Sequence, residues 1–113
     1  MPRFLCYCPD YPDSLEKRFS VRPQHLVAAK ADLDSGVQSA QPPLCVHGVP
    51  FLPRIGTKQR DAVLPEGTPN IAGSFMIYRF DSIEECWARL KADVYWTAGV
   101  WDKERMEVEE LIG

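Results

Sequence analysis

Gly73-Ser74-Phe75-Met76-Ile77-Tyr78-Arg79-Phe80 is followed at once by Asp81-Ser82-Ile83-Glu84-Glu85. The first eight residues are rich in aromatic and apolar side chains and read as a strand. Asp81 and Ser82 with Glu84 and Glu85 behind them are helix-start chemistry: a side-chain oxygen satisfies free backbone N–H groups, and carboxylates sit at the positive end of the helix. The pattern predicts a helix from about Ser82 to Asp93. Ile83, Trp87 and Leu90 recur at helical spacing and are expected to face a sheet. A strand running directly into an amphipathic helix is half of an α+β layer structure.

Working outward, the N-terminal half has the same order. Arg3 to Cys8 reads as a strand, Pro9 to Asp13 as a turn, and Ser14 to Arg18 as a helical turn. Arg22 to Ser35 favours helix, with Pro23 suited to a first helical position and Gly36 to the C-terminal cap. Val37 to Ala40 is expected to begin a second strand. Six of the ten prolines then fall between residues 42 and 70, together with Gly48, Gly56 and Gly67. Proline removes backbone donors and glycine costs entropy, so a long loop is expected there. A last strand is expected from Lys103 to Glu109. The order strand, helix, strand, strand, helix, strand is a ferredoxin-like βαββαβ sandwich, one domain spanning residues 1–113. Two helices cover one face of such a sheet. The other face, apolar here, predicts a homodimer with two sheets packed face to face.

Composition narrows the function classes. The chain has 113 residues, 45% hydrophobic and 26% charged, with net charge −3 and no basic block, which argues against nucleic acid as a partner. No apolar run approaches the ~20 residues of a membrane span. Met1 to Cys8, broken by Pro9, does not read as a signal peptide, and Cys6, Cys8, Cys45 and Cys86 read as reduced thiols, so a cytoplasmic location is expected. Cys6 and Cys8 lack a second pair at zinc spacing, Cys45 with His47 being the nearest approach, so they read as packing residues and no metal is expected. There is no Gly-x-Ser-x-Gly elbow, phosphate loop or dinucleotide fingerprint, leaving hydrolase, kinase and nicotinamide chemistry without support.

His25 is the leading candidate for chemistry, because imidazole exchanges protons near neutral pH. Asp10, just beyond the first strand, is the expected orienting carboxylate. Asp32 lies ~10 Å further along a straight helix and Asp34 points away, so neither is expected to reach His25. Arg22, three residues before His25, shares its side of the helix and suits a carboxylate or phenolate, or an ion pair with Asp10, Asp13 or Glu16. Tyr7, Ser74, Tyr95, Trp101 and His47 are candidate substrate-binding residues, Tyr95 and Trp101 having core or dimer packing as the competing role.

Several of these residues carry a resemblance. Tyr7, Asp10, Ser14-Leu15-Glu16-Lys17-Arg18, Val21-Arg22-Pro23-Gln24-His25-Leu26, Gly36, Gly73-Ser74, Arg79-Phe80, Ser82, Glu84 and Asp93-Val94-Tyr95-Trp96-Thr97-Ala98-Gly99-Val100 are similar to the YciI-like (YCII-related) proteins of the dimeric α+β barrel superfamily. Gln41 stands where that family usually has glycine and Val94 where it has proline. The resemblance implies the dimeric barrel, a His and Asp active site, and reactions on phenols, lactones or polyketide-like compounds. The long loop and Trp-rich tail suggest a fungal-type or other eukaryotic member in secondary metabolism. The expected function is a cofactor-free small-molecule enzyme of isomerase, lyase or cyclase type. The alternative is a non-catalytic ligand-binding or accessory protein.

Overall fold

The computed structural model describes residues 1–39 and 45–113. Strands β1 (Arg3–Pro9), β2 (Cys45–Phe51), β3 (Gly73–Arg79) and β4 (Glu107–Glu110) form one sheet in the order β2-β3-β1-β4, every neighbouring pair antiparallel. This is the strand order of a ferredoxin-like sandwich, and the α+β architecture expected from the sequence is the one found. Helices α1 (Leu15–Ser39), α2 (Lys58–Asp61), α3 (Ile83–Lys91) and α4 (Val94–Thr97) complete the described elements.

Alternation along the strands sorts side chains between two faces. Phe4, Cys6 and Cys8 of β1, Met76 and Tyr78 of β3 and Val108 of β4 are buried with Cys86 and Leu90 of α3 and with Tyr95 of α4. Cys6 and Cys8 therefore share the core face, and the Sγ atoms of Cys6 and Cys86 are 3.5 Å apart. The opposite face carries Leu5, Tyr7, Phe75 and Ile77 side by side, paired as Leu5 with Ile77 and Tyr7 with Phe75. Tyr7 also stacks on Phe51, with ring centroids 5.3 Å apart.

Five local expectations change, the first being that the last strand begins at Glu107 rather than Lys103, with Lys103 to Arg105 in a turn. Helix α1 begins at Leu15, so Pro23 and Gly36 lie inside it rather than at its ends. Pro23 leaves the Phe19 carbonyl without its helical donor, a cost that long helices tolerate. Val37 to Ser39 belong to α1, not to a strand, and Ala40 and Gln41 lie outside the described residues. The second strand is instead Cys45–Phe51, inside the stretch expected to be loop. It is an edge strand, where Gly48 and Pro50 are tolerated because one side of the backbone has no ladder to lose. A register shift between Cys45 and His47 accommodates the irregular sequence. On α3 the inward residues are Cys86 and Leu90, four apart, while Ile83 is exposed. The helix start is as expected: the Ser82 hydroxyl accepts from the Glu85 N–H at 3.2 Å. Gly73 is required where β3 meets β2, since a Cβ there would lie 2.6 Å from the Cys8 carbonyl and 2.2 Å from Phe51 Cζ.

Candidate active site

Arg18, Arg22, His25, Leu26, Ala29 and Leu33 fall at spacings of four, three, one, three and four, one stripe along α1. The stripe forms one wall of a cavity of about 230 Å³. The facing wall comes from Cys45, Gly48, Val49 and Pro50 of β2 and from Ser74, Met76 and Tyr78 of β3, with Tyr95 at one end. His25, Arg22, Ser74 and Tyr95, all candidates from the sequence, thus line one cavity.

The partner of His25 is Asp93, not Asp10. His25 Nδ1 lies 2.9 and 3.0 Å from the two Asp93 carboxylate oxygens. Asp93 caps α4, accepting from the Tyr95 N–H at 2.9 Å, and accepts from Arg89 at 3.1 Å. Burial alone would raise its pKa; the His25 bond, the Tyr95 N–H and the Arg89 charge together hold it below the usual carboxylate range. An ionised Asp93 fixes the proton of neutral His25 on Nδ1 and leaves the lone pair on Nε2, which has no partner among the described residues. The imidazole stacks on Tyr95 at 4.1 Å between centroids and meets the edge of Trp101 at 6.3 Å.

Asp10 pairs with Arg18 at 3.4 Å instead. The reason is the earlier start of α1: ten residues separate Leu15 from His25, ~15 Å of helix, so the turn nearest the end of β1 presents Arg18. Arg18 is buried. Its guanidinium also donates to the Gly73 carbonyl and the Ser74 hydroxyl and lies 4.4 Å over the Tyr95 ring. Trp101 is fully buried, and its indole N–H donates to the same Ser74 oxygen at 3.3 Å. With two donors on its oxygen, Ser74 retains its own O–H for another acceptor. Arg22 is exposed at the rim and makes no hydrogen bond or ion pair with a described residue. Its expected partners Asp10, Asp13 and Glu16 do not hold it.

Tyr7 and His47 lie elsewhere. Tyr7 is on the opposite sheet face, and His47, exposed and paired in register with Ile77, shares that face. Tyr7 and Asp10 line a separate cavity of about 580 Å³ with Phe51, Arg54 and Arg105. Three residues that complete the site were not among the sequence candidates: Arg18, Asp93 and Arg89, the last bridging Asp93 to Asp32 at 2.7 Å. Asp32 also accepts from the Tyr78 hydroxyl at 3.0 Å. Arg18 carried a readable signal, seven residues before His25 on one face of a continuous helix. Asp93, followed by Val94 and Tyr95, carried helix-cap chemistry.

Burial pushes the Asp10 carboxyl up to about 6, against the pull of Arg18 and Arg105. The fold therefore holds a proton that an unfolded aspartate, with pKa ~3.9, has released. Stability declines as pH rises from about 4 through about 6, by about 3 kcal/mol from this group. Asp10→Asn has no proton to lose, so its stability relative to the parent rises by that amount over the window. Urea unfolding at both ends of the window measures this, and identical pH slopes for the two proteins would contradict it.

A family model described as the YCII-related domain matches residues 2–111. The chain is a member of the YCII-related family. Protein YciI of Escherichia coli O6:H1 and Protein YciI of Shigella flexneri are each 32% identical to it over 99 residues, 88% of this chain and 87% of the relative. Among solved structures, this YCII-related chain is similar to 5-chloro-2-hydroxyhydroquinone dehydrochlorinase (TftG) from Burkholderia phenoliruptrix AC1100, in complex with 2,5-dihydroxybenzoquinone. The TM-score is 0.69 and the identity 24%, over 97% of this chain and 93% of that one. The likeness supports the α+β fold.

Proposed function

We propose that the protein is a cofactor-free acid/base enzyme acting on an oxygenated aromatic small molecule, of the elimination or isomerisation type. The observation that carries this reading is the His25–Asp93 pair: Nδ1 is tied to a carboxylate that is 1% exposed, and Nε2, in a residue that lines a cavity, has no partner among the described residues. A base with its orienter is the minimum machinery for moving a proton. Nε2 takes a proton from a substrate hydroxyl or ring carbon. The electron pair left behind forms the new π bond. In an elimination that pair expels the leaving group as an anion; in an isomerisation the imidazolium returns the proton to a different substrate atom. Arg22, exposed at the rim and without an ion pair among the described residues, binds a phenolate or carboxylate oxygen, and the Ser74 O–H donates to a second oxygen. Arg18 adds positive charge behind Ser74, so negative charge developing on a substrate oxygen is stabilised by donors already in place.

The dehydrochlorinase, which has a similar fold, acts on a hydroxylated chlorinated ring, which supports an aromatic substrate here and makes 5-chloro-2-hydroxyhydroquinone the first compound to test. Chloride release without added metal or flavin, lost in His25→Ala, is the expected result. Tight binding with no turnover of this or related hydroquinones would favour the ligand-binding alternative. A fungal-type setting in secondary metabolism rests on the long 42–70 segment, and a cytoplasmic location on four unpaired buried thiols.

The functional unit we propose is a homodimer. Leu5, Tyr7, Phe75 and Ile77, with Val49 and Phe51 beside them, make the sheet face away from the helices apolar, and a second copy is the simplest cover. Light scattering at micromolar concentration is expected to give about twice 12.8 kDa; a folded species of 12.8 kDa would refute the assembly.

A further inference from the structure

The cavity beside His25 is graded along its length. Its order on α1 is Arg18, Arg22, His25, then Leu26, Ala29 and Leu33, about 22 Å from first to last. The facing strand runs in step: Ser74 of β3 touches Arg18 at one end, and Tyr78 bonds Asp32 at the other. Strand β2 follows the same gradient, pairing Pro50 with Ser74, Gly48 with Met76 and Cys45 with Tyr78. The two arginines that line the cavity, Arg18 and Arg22, and the His25 Nε2, which has no partner among the described residues, therefore lie toward one end. At the other end the side-chain polar atoms are already used: the Tyr78 hydroxyl donates to Asp32, and the Cys45 thiol donates to the His47 carbonyl at 3.4 Å. Burial keeps that thiol neutral, pushing its pKa up. Among the described residues that line that end, no side chain invites a polar substituent; Ala29, Leu33, Met76 and the faces of Cys45 and Tyr78 invite an apolar one.

Gly48 keeps this end open. A Cβ there would stand 3.6 Å from Met76 Cγ and 3.7 Å from Cys45 Sγ, ordinary contacts, at a residue whose backbone is not left-handed. A side chain at position 48 fits the fold and projects into the apolar end of the cavity. We infer that the substrate is an oxygenated ring carrying an apolar chain or second apolar ring, held with its oxygens at Arg22 and Ser74 and its apolar part between Ala29 and Gly48, and that Gly48 sets how large that part can be. The inference deepens the proposed function and rests on it for the placement of the polar end.

The test compares binding of 2,5-dihydroxybenzoquinone with binding of the same ring carrying a butyl chain, by calorimetry. The butyl compound is expected to bind about tenfold tighter or more, since each buried methylene favours binding. Gly48→Val removes that advantage, bringing the affinity for the butyl compound down to that for the bare ring or below it. Ala29→Leu, on the other wall, does the same, so misfolding of either variant leaves the other to decide. Arg22→Ala weakens both compounds equally. Equal binding of the two compounds by the parent protein, or a butyl advantage that survives both Gly48→Val and Ala29→Leu, overturns the inference and leaves the polar site standing. If Arg22→Ala changes neither affinity while Gly48→Val still discriminates, the apolar subsite is upheld and the placement of the polar end fails. Binding of neither compound overturns both.

Discussion

His25→Ala lowers turnover by about a hundredfold or more, the usual size of a lost general base. The fold survives this change: His25 is only partly buried, on a helix wall facing a cavity, and its truncation leaves Asp93 still bonded by Arg89 and the Tyr95 N–H. The Michaelis constant is expected to move little, because the proposed substrate oxygens sit at Arg22 and Ser74 and not at the imidazole. The measurement is steady-state turnover on a hydroxylated ring the parent converts, with thermal unfolding as a control. Full turnover by His25→Ala would remove the histidine from the reaction and with it the acid/base reading. Loss of turnover with loss of folding would make the histidine structural, which the partial exposure of its side chain argues against.

Asp93 separates chemistry from architecture in a second way. Asp93→Asn is expected to reduce turnover by about a hundredfold or more at nearly constant Michaelis constant. An amide fits the space but can turn its NH2 toward Nδ1, which places the imidazole proton on Nε2, where the base is needed. Asp93→Ala goes further. It leaves the Arg89 guanidinium, 13% exposed, with only Asp32 as an ionic partner, and removes the cap of α4. Breaking a buried pair by deleting one member costs about 3–5 kcal/mol. Chemical unfolding of the two variants reads the difference: a small stability change for Asn and a large one for Ala. An Asn variant with parental turnover would show that Asp93 only anchors α4, making it a structural residue and not a positioning one for His25.

The strand at Gly73 and the helix that follows Ser82 were legible because their signals are local: a short run of aromatic and apolar residues and a side-chain cap at a helix start act over a few residues. The shared face of Cys6 and Cys8 was legible for the same reason. So was the pairing of Arg22 with His25 on one helix wall, and the α+β order of elements determined the class of fold. Strand β2 was not legible. Its glycine and proline are compatible with pairing only because it lies at the sheet edge, and edge position is a property of the whole sheet. The start of α1 was hidden by Pro23, which has good helix-start chemistry yet sits in the helix interior.

The sequence by itself thus determined the architecture, the candidate histidine and the arginine beside it. The tertiary structure alone decided which carboxylate serves that histidine, which aromatic residues reach it and which lie on the other face. Asp93 is 68 residues away from His25, and their contact depends on α4 packing against α1. Tyr7 and His47 were separated from the site by one step of strand alternation, whose outcome depends on which face the helices cover. Backbone periodicity is written into short stretches of chain. Ion pairs and cavities between distant elements arise only when burial brings those stretches together, and no spacing along the chain records that step.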